Sequence, residues 1–423
     1  MHKEVLLFKT SRDFFIFLSA LFLLFTYSLL IEFNNYKKLT QFDSNIVEAT
    51  VLKQYTKTKL STRGKTSSYD ILKLKSKKGF SFYMGVKSSR ENLVAKNLTL
   101  QIKTKKIHFL DYMKGFYSPG FILKIEESKR HKLNTYISSM HKDKNISAIY
   151  QALYTATPLS KELQQNFSNL GISHLFAISG FHLGVLSGLL FFLLKYPYSF
   201  FQNKFFLYRN ATLDIFIFVS IILFSYLTFL DSPASLLRAF TMFIIAFVIY
   251  DRGLKVISMQ TLLLTVLLLL AFLPRLFFEL GFWLSVSGVF YIFLFLIHFK
   301  HLSKFWQFIL VPFWVYFLML PYSLSIFSNF SLYHPLSIIW SGLFTLFYPL
   351  SIFLHLINYA WLLDEILQIL IDLGETQKSV HIEFGWIITY MFVSFLSIFR
   401  KRFLLLSATL ALFIFIYSVN QVT

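Results

Sequence analysis

The sequence predicts a polytopic α-helical membrane protein with about nine to eleven transmembrane or re-entrant helices and one small β domain near the N-terminus. Three observations support this prediction. The 423 residues are 56% hydrophobic and 19% aromatic, which is more apolar surface than a soluble domain of this size buries. Long apolar runs recur along most of the chain, and Gly and Pro are sparse. One early segment instead alternates apolar and polar residues, which is typical of strands.

The N-terminal segment, residues 1–33, predicts a cytoplasmic tail and a transmembrane anchor. Its apolar run, 14–33, is long enough to cross a bilayer. Lys3, Lys9 and Arg12 precede the run, which favours a cytoplasmic N-terminus. No small-residue cleavage site follows the run, so we expect the anchor to be retained.

Positive charge is concentrated in about a quarter of the chain. Residues 34–145 hold 24 of the 41 Lys/Arg but only 8 of the 21 Asp/Glu, so this stretch carries +16 of the net charge of +20. Such a block attracts a polyanion, which is nucleic acid, anionic lipid or an acidic glycan.

Residues 34–125 predict the β domain, on the extracytoplasmic side. Short alternating segments begin near residues 46, 69, 79 and 98, separated by Ser, Gly and Lys turns. About five strands with interleaved basic and aromatic residues fit a small OB-like barrel. The candidate DNA-binding residues are Lys73, Lys75, Lys77, Lys78, Tyr69, Phe82 and Tyr83.

These side chains suit a nucleic acid because lysines neutralise phosphates and aromatic faces stack on bases. Phe80 and Phe82 fall on the same face of a strand, so barrel core explains that pair equally well. A basic face that contacts lipid headgroups is the alternative to DNA binding.

Residues 126–170 predict a charged helical connector, whose amphipathic part, 145–167, lies flat on the membrane. Residues 171–423 predict the transmembrane domain, with spans near 172–194, 211–230, 234–250, 257–273, 276–297 and 305–327. The basic loops after alternate spans agree with the positive-inside rule. We expect a re-entrant or broken hairpin over 334–360, because Pro349 interrupts that run. An acidic segment, 364–383, and two final spans around the basic residues 399–402 follow.

Four segments resemble, in order and spacing, those of the ComEC competence family. YSPGF at 117–121 is similar to the turn that closes the family's extracytoplasmic domain, and GISHLFAISGFHLGVLSG at 171–188 is similar to its signature. SPASLLRAFTM at 232–242 and LPRLFFELGFWLSVSG at 273–288 resemble two further blocks. In a later block, His334-Pro335 stands where the family has an Asn.

The resemblance implies an inner-membrane channel that passes single-stranded DNA into the bacterial cytoplasm during natural transformation. The partners it implies are a periplasmic DNA receptor, a competence pilus, a cytoplasmic helicase-like motor and single-strand-binding proteins. Longer family members carry a metallo-β-lactamase-like domain with an HxHxDH motif, and none of the eleven histidines lies in such a cluster. We therefore expect no metal site, no cofactor and no nuclease activity. The absence of cysteine and of a GxxxxGK[ST] loop agrees with this.

The family blocks supply the candidate channel residues. They are His174, Ser179, Gly180, His182, Gly184, Arg238, Glu279, Gly281 and Ser285. Gly180, Gly184 and Gly188 recur every four residues, and close packing of a neighbouring helix is sufficient to explain them. His182 points away from that stripe, either as a hydrogen-bonded histidine or as a donor that lines the pore.

Arg238 follows a predicted helix start, with Ser232 as N-cap and Pro233 as the first helical residue. A cation there opposes the helix dipole, and its burial in the membrane is costly. One hypothesis is an Arg238–Glu279 ion pair. The alternatives are snorkelling to the headgroups and contact with passing phosphates.

Two other classes of function stay open. A secondary transporter or lipid-linked glycan flippase would carry inverted repeats and midplane charges, and neither is evident in the sequence. A membrane-embedded hydrolase would use His174 and His182 with Ser179 or Glu279, but their spacing does not match a catalytic constellation. The sequence does not indicate an oligomeric state.

Overall fold

The computed structural model describes residues 10–60, 66–87, 92–205, 208–252, 257–374, 378–380 and 384–422. Lys3 and Lys9, and parts of the predicted basic loop 251–255 and acidic segment 364–383, lie outside the described residues. The chain divides into two compact units. The sheet unit comprises Arg12–Pro158 and Leu268–Glu279, and the helical unit comprises Met1–Ser11, Leu159–Leu267 and Leu280–Thr423.

The sheet unit begins with a helix, α1 (Ser11–Thr40), that is apolar and long enough to cross a membrane. The C-terminal part of this helix packs on the β domain. The Tyr36 hydroxyl donates to the Ile107 carbonyl at 2.9 Å, and Leu39 is buried in the core of the domain. The predicted anchor is therefore continuous with the fold of the β domain.

Six strands form one mixed sheet in the order β5-β3-β2-β1-β4-β6, and only the β3–β5 pair is parallel. Their bounds are β1 (Ser44–Leu60), β2 (Thr66–Ser76), β3 (Ser81–Lys87), β4 (Asn97–Lys103), β5 (Phe116–Tyr117) and β6 (Gly120–Glu126). The four predicted alternating segments correspond to β1, β2, β3 and β4. The last of them ends at Lys103.

The sheet has two edges, β5 and β6, and a closed OB-like barrel is not shown. A two-residue link joins the edge strands. The Ser118 N–H donates to the Tyr83 carbonyl at 2.9 Å, and the Lys103 N–H donates to the Pro119 carbonyl at 3.0 Å. The β domain is thus a six-stranded sheet whose edge strands are adjacent in sequence.

Alternation along the strands decides which side chains form the core. Leu72 and Leu74 of β2, and Phe82 and Met84 of β3, are fully buried. Residues between them face the other side, because successive side chains of a strand point to opposite faces. The three helices that complete this part of the unit are α2 (Phe109–Lys114), α3 (Lys129–Met140) and α4 (Lys144–Thr155).

The connector is not one amphipathic helix over 145–167. It is broken between α4 and α5 (Lys161–Asn169). Ala156 adopts a left-handed conformation with φ 55° at the C-cap of α4, and Pro158, two residues later, disfavours helix at the residue before it.

The helical unit holds most of the apolar helices. After α5 their bounds are α6 (Gly180–Phe205), α7 (Ala211–Phe229), α8 (Ala234–Asp251), α9 (Met259–Phe272), α10 (Leu280–His298), α11 (Lys304–Phe327), α12 (Ser337–Leu356), α13 (Asp364–Leu373), α14 (Phe384–Leu396) and α15 (Lys401–Val422). The strands β7 (Asn329–Phe330) and β8 (Lys378–Ser379) form a small second sheet. The last residues of α9 belong to the sheet unit.

Seven helices within the described residues are long and apolar enough to span a membrane. They are α1, α6, α7, α10, α11, α12 and α15. The chain is therefore a multi-pass membrane protein by helix length and composition.

Two predicted helix starts and one predicted hairpin differ from the structure. The span predicted from 172 begins only at Gly180, because 172–179 is irregular. The span predicted from 276 begins at Leu280, after a 3₁₀ turn, Pro274–Phe278. The hairpin predicted over 334–360 is one continuous helix, α12, that contains Pro349. A proline removes only one hydrogen bond from a helix, and neighbouring groups in a membrane bundle compensate for it.

Candidate functional site

The outer face of the β1–β2–β3 ladder carries lysines and tyrosines in adjacent rows. We call it the basic–aromatic face. Its members are Lys53, Tyr55, Lys57, Tyr69, Lys73, Lys75, Tyr83, Lys87 and, from β5, Tyr117. Lys73 lies opposite Lys53 on one side and Tyr83 on the other, and Tyr83 lies beside Tyr117. One continuous row thus crosses four strands.

Lys53 and Lys73 are register partners, so their side chains lie next to each other on the face. The Lys73 ammonium also lies 5.9 Å from the centre of the Tyr83 ring, over its face. A polyanion bound along this row would contact both ammonium groups and leave the rings beside it. The face is therefore chemically suited to a phosphate backbone with unpaired bases.

Two of the tyrosines, Tyr69 and Tyr117, pack over Gly85. A Cβ on Gly85 would lie 3.0 Å from the Tyr117 hydroxyl and 3.6 Å from the Tyr69 ring. Both side chains thus extend over a position that has no side chain of its own. Tyr117 is 59% exposed, so part of its surface remains accessible to a base.

The predicted DNA-binding residues separate into three groups. Tyr69, Lys73, Lys75 and Tyr83 lie on the basic–aromatic face. Phe82 does not, because it is fully buried against Phe80 and Phe116 with ring centres 5.8 and 5.6 Å away. The core interpretation of Phe80 and Phe82 is the correct one, and Phe82 has no exposed ring face for a base.

Lys77 and Lys78 form the third group, in the turn after β2. Lys77 makes an ion pair with Glu48 of β1. The hydrogen bond that Lys77 donates to Glu48, and the negative charge of Glu48, raise the pKa of Lys77. Because Glu48 already offsets its charge, Lys77 contributes less to attracting a polyanion than its position in the sequence indicates.

Within the helical unit, three family blocks meet at the N-terminal ends of α6, α8 and α10. The Ser235 hydroxyl donates to the Ile178 carbonyl at 2.8 Å, and a Cβ on Gly180 would lie 3.1 Å from that of Ala239. The Arg238 guanidinium lies over the Phe282 ring, 5.6 Å from its centre. We call this cluster, with the loop 170–179 and the start of α12, the motif junction.

Arg238 is 5% exposed, so it does not snorkel into solvent within the helical unit. Its helix starts at Ala234 with Pro233 as N-cap, not with Ser232 as predicted. Ser232 instead has φ 50°, in the left-handed region. The Arg238–Glu279 ion pair stays a prediction.

His182 is buried at 1% exposure in the first turn of α6. Its Nδ1 accepts from the Ser179 N–H at 3.3 Å, so the neutral ring carries its hydrogen on Nε2. Among the described residues, Nε2 has no hydrogen-bond partner. The rings of Phe344 and Tyr348 from α12 stand edge-on to the imidazole, with centres 5.2 and 4.9 Å away.

A Ser–His contact begins many hydrolytic sites, and the Ser179 hydroxyl lies 3.2 Å from His182 Nδ1. That hydroxyl also accepts from the Phe181 N–H at 3.3 Å, as a residue at a helix start does. No carboxylate contacts Nε2 among the described residues. The pair marks the beginning of α6.

Gly171 opens the first family block in the left-handed conformation, with φ 70°. A Cβ there would come within 2.7–2.9 Å of the His334 ring. His334 is buried and its Nδ1 lies 2.9 Å from the Tyr316 hydroxyl. His334, which stands where the family has an Asn, thus fixes the loop that leads to His182.

The glycine stripe of α6 is not uniformly packed. Only Gly180 has a close neighbour, whereas a Cβ on Gly184 or Gly188 would meet no atom within 4 Å among the described residues. Gly281 of α10 is open in the same sense. Packing of a neighbouring helix therefore does not explain Gly184 and Gly188, contrary to the simplest expectation.

The remaining predicted residues lie near these elements. His174 is exposed in the loop before α6, and its Nε2 lies 3.5 Å from the Ser341 hydroxyl of α12. Ser285 is half-buried on α10, and Glu279 is exposed one residue before that helix. No group of three or more potential metal ligands occurs in the described part of the chain.

Sequence reasoning missed Tyr55 and Tyr117, which complete the face, and Phe344 and Tyr348, which enclose His182. The sequence pattern places Tyr117 only in a turn. The alternation of Lys53, Tyr55 and Lys57 was an available signal for β1. Nothing local to 344–348 indicates contact with a histidine more than 160 residues earlier.

The apolar helices and the buried polar cluster define a multi-pass membrane protein with an appended basic sheet domain. A family model described as "Competence protein" matches residues 155–421. This is more than half of the chain, which therefore belongs to the competence protein family of ComEC. No hydrolase domain is identified in the chain. No curated protein and no solved structure matches it.

Proposed function

We propose that this protein is the inner-membrane channel that passes one DNA strand into the cytoplasm during natural transformation. The observation that carries the proposal is the basic–aromatic face in a chain of the competence family. In this proposal α1 starts in the cytoplasm and the sheet domain lies in the periplasm. A periplasmic receptor and the competence pilus deliver the DNA.

The basic–aromatic face favours a single strand over a duplex. Tyrosine rings stack only on bases that are not already stacked in a helix, and each such contact contributes about 1–3 kcal/mol. The lysines contact phosphates of any sequence. We therefore expect capture without sequence preference and with a steep dependence on salt.

The motif junction is the proposed lining of the route through the membrane. Gly184 and Gly188 border open space among the described residues, whereas His182, on the side of α6 turned away from these glycines, is enclosed by Phe344 and Tyr348. A flexible strand needs a path with few bulky side chains, and the glycine side of α6 offers one. The chain contains no GxxxxGK[ST] loop, so a cytoplasmic helicase-like motor and single-strand-binding proteins would drive and retain the strand.

The test is a strain that lacks this protein and receives fluorescent DNA. We expect DNA to enter the periplasm and never the cytoplasm, and the full chain to restore cytoplasmic entry. Cytoplasmic DNA at the parental level in the deletion strain would refute the proposal. A glycan flippase or secondary transporter would leave DNA entry intact and would alter lipid-linked glycan or solute uptake.

A further inference from the structure

The linker between α9 and α10 carries an arginine whose charge is almost buried. Arg275 lies in the 3₁₀ turn Pro274–Phe278, which belongs to the sheet unit. Its Nη2 donates to Glu32 Oε2 of α1 at 2.5 Å. The two side chains are only 15% and 19% exposed. An ion pair at this depth is screened little by solvent, so it fixes the linker to α1.

Two aromatic rings hold the rest of the guanidinium. Its central carbon lies 4.6 Å from the centre of the Tyr112 ring and 6.0 Å from that of Phe80. The Tyr112 hydroxyl donates to the same Glu32 oxygen at 3.5 Å. Nε and Nη1 of Arg275 are buried and make no hydrogen bond with the described residues. One carboxylate and two ring faces therefore stabilise the cation.

The pair lies about one bilayer thickness along α1 from the first residue of that helix. Glu32 follows Ser11, the first residue of α1, by a helical distance of about 32 Å at 1.5 Å per residue. The hydrocarbon core of a bilayer is about 30 Å thick. If α1 spans the membrane from its first residue, Glu32 is at the far boundary, and Arg275 attaches the linker to α1 there.

Arg275 also touches the turn that follows the basic–aromatic face. Phe80 and Gly79 belong to the β2–β3 turn, and a Cβ on Gly79 would lie 4.0 Å from Arg275 Nη1. Lys73 and Lys75 of the face precede this turn on β2. On the other side, Arg275 is five residues before Leu280, the first residue of α10. One contiguous set of contacts and bonds thus connects the face to α10, which begins within the family segment 273–288.

We propose that Arg275 is a positioning residue that couples DNA on the basic–aromatic face to the start of α10. A strand bound along Lys73 and Lys75 would shift the β2–β3 turn, and Arg275 would transmit that shift to the linker. The inference rests on the proposed function. A simple anchor does not require this chemistry, because well-packed apolar residues stabilise a fold as well as a buried ion pair does.

The chain has no cysteine, so one introduced thiol can be labelled without background. We would place a nitroxide at Leu280→Cys, where the side chain is 52% exposed, in the full chain in lipid nanodiscs. Without DNA, Arg275→Gln and Glu32→Gln should increase the mobility of the label. Lys105→Gln, which removes the surface ion pair of Lys105 with Asp43 at 3.1 Å, is the matched control and should not.

Adding oligothymidylate should change the spectrum of the otherwise unaltered protein. Arg275→Gln should abolish that change while its Kd for the oligonucleotide stays within twofold, and Arg275→Lys should retain part of the change. A full spectral change in Arg275→Gln would overturn the inference, as would a loss of affinity of fivefold or more in that variant. If the parent protein binds no oligonucleotide, both the proposed function and the coupling of DNA to α10 are refuted. The attachment of the linker to α1 is tested separately, by the mobility of the label in Arg275→Gln and Glu32→Gln without DNA.

Discussion

The two units differ in where their polar side chains lie. The sheet unit displays lysines and tyrosines on the outer face of three strands and keeps Leu72, Phe82 and Met84 inside. The helical unit buries its distinctive polar groups, Arg238 and His182, among aromatic rings where helices begin.

The difference separates two tasks. The half-buried lysines of the sheet unit keep part of their hydration and can exchange it for phosphates. A buried arginine or histidine has already lost its water, so its position is strictly fixed and each substitution there is expensive. In the proposed function, the sheet unit would capture DNA, a task that tolerates substitution, and the motif junction would line its passage, a task that does not.

The largest effect should come from the loop of the motif junction. Gly171→Ala would force a left-handed residue and a clash with the His334 ring, at a total cost on the order of 3 kcal/mol. We expect a strong drop in the amount of folded protein in membranes, measured by immunoblot and thermal melting. Gly184→Ala, with open space at its Cβ, is the control. Equal levels of both variants would show that the loop is not a fixed element.

The second largest effect should come from Arg238, measured at matched protein level so that a loss of passage is not confused with a loss of folding. Because its guanidinium lies on Phe282 in a buried cluster, Arg238→Ala should reduce transformation to the level of the deletion strain. Arg238→Lys keeps the charge without the planar group and should retain part of the activity. The measurement is transformation frequency at matched protein level. Parental activity in both variants would remove Arg238 from the proposed route.

The strands and the start of α6 show what the sequence could and could not predict. Alternation of apolar and polar residues identified β2 and β3 correctly, since the side chains of a strand have a period of two. The period does not say which face is inward, so Phe82 was ambiguous until the core was known. The start of α6 was predicted too early, because the apolar residues 172–179 look helical locally. Gly171, the ring of His334 and the Ser235–Ile178 bond hold that segment outside the helix.

Partners far apart in sequence were beyond local patterns. The apolar residues around Arg275 do not indicate an ion pair, because its carboxylate partner Glu32 is 243 residues away in sequence. Tyr117 joins the basic–aromatic face through a strand of only two residues. Motif resemblance succeeded for the blocks of the helical unit, because each block is contiguous and the family model covers 155–421.

A smaller effect should distinguish one side of the sheet unit from the other. Tyr117→Ala removes an exposed ring from the face and should weaken oligothymidylate binding about tenfold, as expected for one stacked base. Phe121→Ala, on the opposite edge strand and 73% exposed, should leave binding unchanged. Fluorescence anisotropy on the full chain in nanodiscs gives both affinities. Equal losses of affinity in the two variants would show that any exposed aromatic side chain contributes to binding, and that the basic–aromatic face is not a defined binding site.

The smallest effect concerns charge. Lys73→Gln should lower the slope of log K against log salt by about 0.7, the value for one phosphate contact on a single strand. Lys77→Gln should change it less, because Glu48 already pairs with Lys77. The same anisotropy titrations at several salt concentrations measure both slopes. A larger change for Lys77 would place the bound strand on the turn and not on the face.

The open space beside Gly184 tests the route itself. Gly184→Trp places an indole in that space, where a Cβ meets no atom within 4 Å among the described residues, whereas Leu193→Trp changes an exposed position on the opposite side of α6 and is the control. We would follow fluorescent DNA in cells that produce each variant at parental level. The account predicts that Gly184→Trp leaves DNA in the periplasm and that Leu193→Trp delivers it to the cytoplasm. Normal cytoplasmic entry in Gly184→Trp would contradict passage along this helix.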